Sequence, residues 1–210
     1  FGTPQSCRGS STGKFRLPSA ACLIFAFCIA AAIASPAQTF TTLVSFDGTN
    51  GAYPSAGLAQ GPNGNFYGTT YGGGANNEGG TIFETTPAGV LTTFYDFCAQ
   101  SDCSDGSTPD GLMLAANGNF YGVTESGGVG RGTIFEITPT GQLTTIYSFC
   151  FQNPTDCENH PRNPEGTLAQ GRNGNLYGTT SNGGNFEFSG PGTVFEITPA
   201  GKFTTLYNFC

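Results

Sequence analysis

The chain has 210 residues, of which 33 are Gly and only 10% are charged, and it carries a formal net charge of −7. Glycine near twice its usual share, with charge under half of it, sets the chain apart from ordinary globular enzymes and signals many turns. An acidic surface repels phosphate backbones and anionic lipid, so no nucleic acid or membrane-surface partner is expected.

The first 37 residues differ from the rest. Lys14 and Arg16 precede an apolar run from Ala20 to Ala34, and Ser35-Pro36-Ala37 offers small residues where a signal peptidase needs them. This is the layout of a signal peptide cleaved after Ala37, over residues 1–37. The run is nearer fifteen than the roughly twenty residues of a spanning helix, which argues against a membrane anchor. Removal of Arg8, Lys14 and Arg16 leaves Arg131, Arg162, Arg172 and Lys202 against all 14 acidic residues, a net charge of −10.

Residues 38–210 are rich in Thr, Phe, Tyr, Ile and Val, so the mature chain reads as all-β. Three motifs recur in fixed order. Asn63-Gly64-Asn65-Phe66-Tyr67-Gly68-Thr69-Thr70 returns at 117–124 and 173–180. Gly80-Thr81-Ile82-Phe83-Glu84 returns at 132–136 and 192–196, and residues 91–98 return at 143–150 and 203–210. Each unit reads as strands A to D, with blade 1 at 57–97, blade 2 at 111–149 and blade 3 at 166–209. Asn-Gly turns join A to B, and Thr-Pro-x-Gly turns join C to D. Repeated four-stranded antiparallel meanders describe propeller blades, so the expected fold is a β-propeller-like array. Residues 40–46 match strand D without an A, B or C before them, as in a ring closed by its N-terminal strand. Three blades are too few to close a ring. The expectation is therefore an incomplete propeller, a fragment of a longer protein.

Five cysteines fall in the mature region. The placement of Cys98 with Cys103, and of Cys150 with Cys157, at equivalent points of the repeat predicts two disulfides and an oxidising compartment. Cys210 is left over, its partner expected beyond the end of this chain. The spacings and the single histidine do not suit zinc.

The three motifs resemble the GloVer tandem repeat of exported bacterial proteins described as choice-of-anchor, and the resemblance covers residues 40–210. It implies export and surface attachment through a C-terminal signal, so the expected location is secreted or cell surface, with any membrane link through an anchor not seen here. It implies no defined activity.

In a meander, A–B and C–D turns lie at one end of every blade, and B–C and D–A loops at the other. The first set is short and uniform. The second varies: B–C loops run over 71–79, 125–131 and 181–191, and D–A loops carry the cysteines with Asp102, Asp105, Asp110, Asp156, Glu158, His160 and Arg162. Variation on one face suits a ligand surface on a rigid scaffold, though loops away from tight hairpins also drift without function. The candidate ligand-binding residues are Phe186, Phe188, Asp105, Asp156, His160 and Arg162, with carbohydrate or a surface protein as partner. A propeller enzyme acting on polysaccharide is the alternative, with Asp105 and either Asp156 or Glu158 as its unrepeated carboxylates. A passive surface spacer is a third reading. Glu84, Glu136 and Glu196 recur in every blade and read as structural, accepting backbone or Tyr hydrogen bonds between blades. The inner strands 57–60, 111–114 and 167–170 carry no ionisable group, so no catalytic residue is assigned. No cofactor is expected. Calcium at Asp47–Gly51 or Asp102–Asp110 is the one exception weighed, against solvated turns, because no loop follows the EF-hand order.

Overall fold

The computed structural model describes residues 39–76, 79–150, 157, 160–184 and 190–209. The chain divides into two units, Phe1–Thr41 and Thr42–Cys210. The signal-peptide region lies outside the described residues. The described part of the first unit, residues 39–41, has no regular secondary structure.

The second unit holds three four-stranded sheets among the described residues. Blade 1 is β1 (Ala59–Gln60), β2 (Phe66–Thr70), β3 (Thr81–Thr85) and β4 (Leu91–Asp96). Blade 2 is β5 (Ser107–Leu114), β6 (Phe120–Ser126), β7 (Thr133–Ile137) and β8 (Leu143–Ser148). Blade 3 is β9 (Arg162–Gln170), β10 (Leu176–Asn182), β11 (Thr193–Ile197) and β12 (Phe203–Asn208). Each sheet keeps its strands in chain order and every pairing is antiparallel. The same register irregularity recurs between the third and fourth strands of all three, at Ile82/Phe83, Ile134/Phe135 and Val194/Phe195. The unit is thus an all-β, propeller-like array of equivalent blades.

Apolar residues on both faces of each sheet follow from this stacking, because a blade buries one face on its predecessor and the other on its successor. Phe97 of blade 1 meets Phe135 of blade 2 edge to face at 5.2 Å, and Phe149 of blade 2 meets Phe195 of blade 3 at 5.9 Å. All four rings are fully buried. Each such Phe on the third strand lies over the glycine opposite it. A Cβ on Gly122 would stand 2.5 Å from Phe135 Cζ, and one on Gly178 equally close to Phe195 Cζ. Glycine in mid-strand normally weakens a sheet, and here it makes room for the aromatic seam. Hydrogen bonds between blades add to the seams: the Gly111 amide of β5 donates to Thr69 Oγ1 of β2 (3.2 Å) and the Gly166 amide of β9 to Asp110 Oδ2 of β5 (2.8 Å).

Residues 40–46, expected as a strand D, form no ladder among the described residues. They nevertheless take the position of a preceding D strand. Phe46 meets Phe83 at 5.0 Å, and a Cβ on Gly89 of the C–D turn would lie 2.5 Å from Leu43 O. Gly141 makes the equivalent approach to Phe94 O (3.6 Å) between blades 1 and 2, and Gly201 to Ile146 O (3.0 Å) between blades 2 and 3.

The inner strands differ from expectation. β5 and β9 begin at Ser107 and Arg162, because pairing resumes beyond an irregularity and places Pro109 opposite Thr124 and Pro164 opposite Thr180. Proline is tolerated there as on any edge strand. Asp110, Glu165 and Arg162 therefore belong to inner strands, contrary to the reading that these carry no ionisable group.

Every B–C hairpin ends in a buried threonine pair. Thr70 Oγ1 lies 2.9 Å from Thr81 Oγ1, accepts from the Thr81 amide at 3.0 Å and donates to Gly72 O at 3.0 Å. Thr124 with Thr133 and Thr180 with Thr193 repeat the arrangement. Above the first two pairs the chain must pass as glycine: a Cβ on Gly106 would stand 2.5 Å from Thr124 Oγ1.

Candidate functional site

The two ends of the blades carry different chemistry. At the A–B turn end, Tyr67 sits directly across from Glu84 in the register, so both project on one side of the sheet. Glu84 Oε1 accepts from Asn65 Nδ2 (2.6 Å), Tyr67 OH (2.7 Å) and Asn63 Nδ2 (2.9 Å). Blade 2 repeats this with Asn119, Tyr121 and Asn117 on Glu136, and blade 3 with Asn175, Tyr177 and Asn173 on Glu196. These donors favour the carboxylate. Asn65 above all holds Glu84 below the usual range, Tyr121 does so for Glu136 and Asn175 for Glu196. Burial, reinforced by Glu136, pushes Tyr121 up to about 12. The repeated Tyr and Glu are structural as expected, but their bonds run within one blade and not between blades, because the partners are neighbours on paired strands.

At the loop end of blade 1 a cleft of about 530 Å³ is lined by Asp47, Thr49, Tyr53, Tyr71, Thr108 and the backbone of Gly72, Gly73 and Gly74. Tyr53 is 77% exposed and Tyr71 43% exposed. Tyr53 has φ 59 and precedes Pro54, and Thr108 and Asn163 hold the same positive φ before Pro109 and Pro164. The backbone shape therefore belongs to the repeat, while the aromatic belongs to blade 1 alone. The Tyr71 amide donates to Tyr53 O at 3.1 Å, which ties the two walls together. Asp47 Oδ1 accepts from the Thr49 hydroxyl (2.8 Å), the Thr49 amide (2.9 Å) and the Asn50 amide (3.1 Å). Led by the Thr49 hydroxyl, these bonds lower its pKa and keep it anionic. Tyr71 is shifted upward by its hydrogen bond to Glu125, with Glu165 and Asp110 adding negative potential.

The residues singled out in the sequence lie elsewhere. Asp105 is fully buried: Oδ2 accepts from Tyr95 OH (2.9 Å) and the Ala99 amide (3.0 Å), and Oδ1 from the Gln100 amide (3.3 Å). A buried carboxylate so engaged holds the Cys98–Cys103 loop in place and is not open to a ligand. Arg162 is 3% exposed and donates to Cys157 O at 3.0 Å, and the His160 amide reaches the same carbonyl at 3.2 Å. Asp156, Phe186 and Phe188 lie outside the described residues. The structure thus brings His160 and Arg162 together, and neither they nor Asp105 line the cleft. Tyr53 and Tyr71 are not among the candidate residues, although the sequence marks them: at their repeat positions the other blades hold Thr108 and Asn163, and Glu125 and Ser181. Both expected disulfides are present, Cys98–Cys103 and Cys150–Cys157. Among the described residues no group of three or more His, Cys, Asp or Glu is placed to hold a metal ion, and no helix is long and apolar enough to cross a membrane.

A family model described as the Gloeobacter/Verrucomicrobia repeat matches residues 28–210. The chain belongs to that family. No curated protein matches this Gloeobacter/Verrucomicrobia repeat chain. Among solved structures it is similar to a gluconolactonase from Xanthomonas campestris, at 15% identity and a TM-score of 0.49, over 77% of this chain and 50% of that one. It is similar also to a PQQ-bound aldose sugar dehydrogenase from Streptomyces coelicolor, at 18% identity and a TM-score of 0.48, over 79% and 49%. The repeat chain spans about half the length of these proteins.

Proposed function

We propose that this chain is part of an extracellular, propeller-like binding protein whose loop end takes a neutral carbohydrate. The observation that carries this reading is the cleft of blade 1, where Tyr53 and Tyr71 stand exposed beside backbone amides and one fixed carboxylate. Its volume falls within the range of ligand pockets, about 300–1,000 Å³. Tyrosine offers an apolar ring face to the C–H face of a pyranose and a hydroxyl to the sugar's oxygens. The anionic Asp47 and the negative net charge disfavour uronate and sulfated glycans. Two disulfides support an oxidising location outside the cell.

The test is titration calorimetry against cello-, xylo- and manno-oligosaccharides and a uronate polymer. Binding to a neutral oligomer is expected, weakened about tenfold by Tyr53→Ala or Tyr71→Ala, or about 1.4 kcal/mol each. Failure of every neutral oligomer to bind, or affinity indifferent to both changes, overturns the reading. Phe186 and Phe188 remain proposed as further aromatics of the same loop end, tested by the same titration.

A further inference from the structure

The chain contains five Asn-Gly pairs, and three of them, Asn63-Gly64, Asn117-Gly118 and Asn173-Gly174, form the A–B turns. An Asn-Gly step is chemically fragile because glycine leaves its backbone nitrogen unhindered. That nitrogen attacks the asparagine Cγ, the Cγ–Nδ2 bond breaks, and Nδ2 leaves as ammonia with the proton from the glycine amide. Water then opens the cyclic imide to aspartate or isoaspartate. Ring closure requires a free glycine amide and a side chain able to swing its Cγ onto it.

In the A–B turns all three reacting groups are held. The Gly64 amide donates to Gly61 O at 3.0 Å, Asn63 Oδ1 accepts from the Asn65 amide at 3.1 Å, and Asn63 Nδ2 donates to Tyr67 OH and Glu84 Oε1 at 3.0 and 2.9 Å. Blade 2 matches this: Gly118 donates to Ala115 O at 3.0 Å and Asn117 Nδ2 to Tyr121 OH at 2.9 Å. So does blade 3, with Gly174 on Gly171 O and Asn173 Nδ2 on Tyr177 OH, each at 2.9 Å. Asn50-Gly51 is different. Asn50 Oδ1 accepts from the Asp47 amide at 3.0 Å, but among the described residues Asn50 Nδ2 donates to no group, and the Gly51 amide is engaged only in the isolated bridge between Gly48 and Gly51.

We propose that the repeated Asn–Tyr–Glu network guards the A–B turns against spontaneous deamidation, and that Asn50 is a modification site the fold leaves open; in the fifth pair, Asn182-Gly183, Asn182 Nδ2 is held on Ser181 Oγ at 3.0 Å. Deamidation of Asn50 places a second carboxylate beside Asp47, on the loop that forms one wall of the blade 1 cleft. Deamidation of Asn63 would instead set a carboxylate against Glu84 and remove a donor from it, which gives the guard its structural value.

The test is ageing of the full chain in mildly alkaline buffer, with and without urea, followed by peptide mapping in a mass spectrometer. In the native chain Asn50 reacts first, and Asn63, Asn117 and Asn173 react at least about tenfold more slowly than in urea, the factor that a hydrogen bond to a charged acceptor corresponds to. Tyr67→Phe removes one acceptor from Asn63 and accelerates that site about fivefold, the value of one ordinary hydrogen bond, with Asn117 and Asn173 unchanged as internal controls. Equal rates for the turn asparagines in buffer and urea, or an Asn63 rate indifferent to Tyr67→Phe, overturns the guard. A native Asn50 rate no faster than the turns overturns the open site. The urea comparison stands even where Tyr67→Phe unsettles blade 1, which circular dichroism of the same sample detects.

Discussion

Truncating Phe149 to alanine tests the stacking of blades more sharply than any other single change. The ring is fully buried in the seam between blades 2 and 3, where it meets Phe195 at 5.9 Å and Phe203 at 5.5 Å across the seam and Tyr147 at 5.1 Å in its own blade. Removing a ring so enclosed costs about 3–5 kcal/mol, transfer and cavity together. Phe209 holds the same repeat position in blade 3 but is 42% exposed, with Tyr207 as its one ring contact among the described residues. Phe209→Ala should cost under about 1 kcal/mol. Urea unfolding followed by far-ultraviolet circular dichroism gives both values from the midpoints. A reduced slope in Phe149→Ala alone would mean that blade 3 now opens before the rest, as nearest-neighbour coupling of repeats allows. Equal midpoint shifts for the two variants would refute the account of the seam.

Two further outcomes follow from the blade interior. The lowered pKa values of Glu84, Glu136 and Glu196 mean that the folded state binds fewer protons than the unfolded one near their ordinary value of 4.5. Their contribution is full above that value and is lost as pH falls through the lowered ones, so thermal stability should hold from neutrality to about pH 5 and then decline, less steeply in Glu136→Gln. Melting curves across an acid pH series check this. Gly106→Ala forces a side chain to φ +105 with its Cβ against Thr124 Oγ1, at a cost of roughly 3 kcal/mol in urea unfolding, whereas Gly118→Ala, at φ +83 in open space, should cost about 1.

Much of this architecture was legible because one signal was written three times. The Asn-Gly and Pro-x-Gly turns fixed where hairpins close, and the Thr-Ile-Phe-Glu motif fixed the third strand in each blade. The cysteines declared their pairing by recurring at matched positions. What stayed hidden was set by contacts that no local pattern encodes. β5 and β9 run four or five residues further than their apolar segments because backbone pairing continues past Pro109 and Pro164. Asp105 looked like a unique surface acid, yet Tyr95 and two backbone amides draw it inside. Tyr53 and Tyr71 are neither ionisable at neutral pH nor part of the longest insertion, but aromatic substitutions at ordinary repeat positions, and so leave little mark in the sequence.

The buried threonine pair at the head of each B–C hairpin bears on how such a protein can change over generations. By fastening the two strands to each other just below the loop, it isolates the ladder from whatever lies above. Insertions or deletions in that loop need not slide the strands past one another, which would turn every inward residue outward. The differing lengths of the three loops, over identical clasps, are what such isolation permits. A duplicated blade can therefore acquire a new loop while its hydrophobic seam is inherited unaltered.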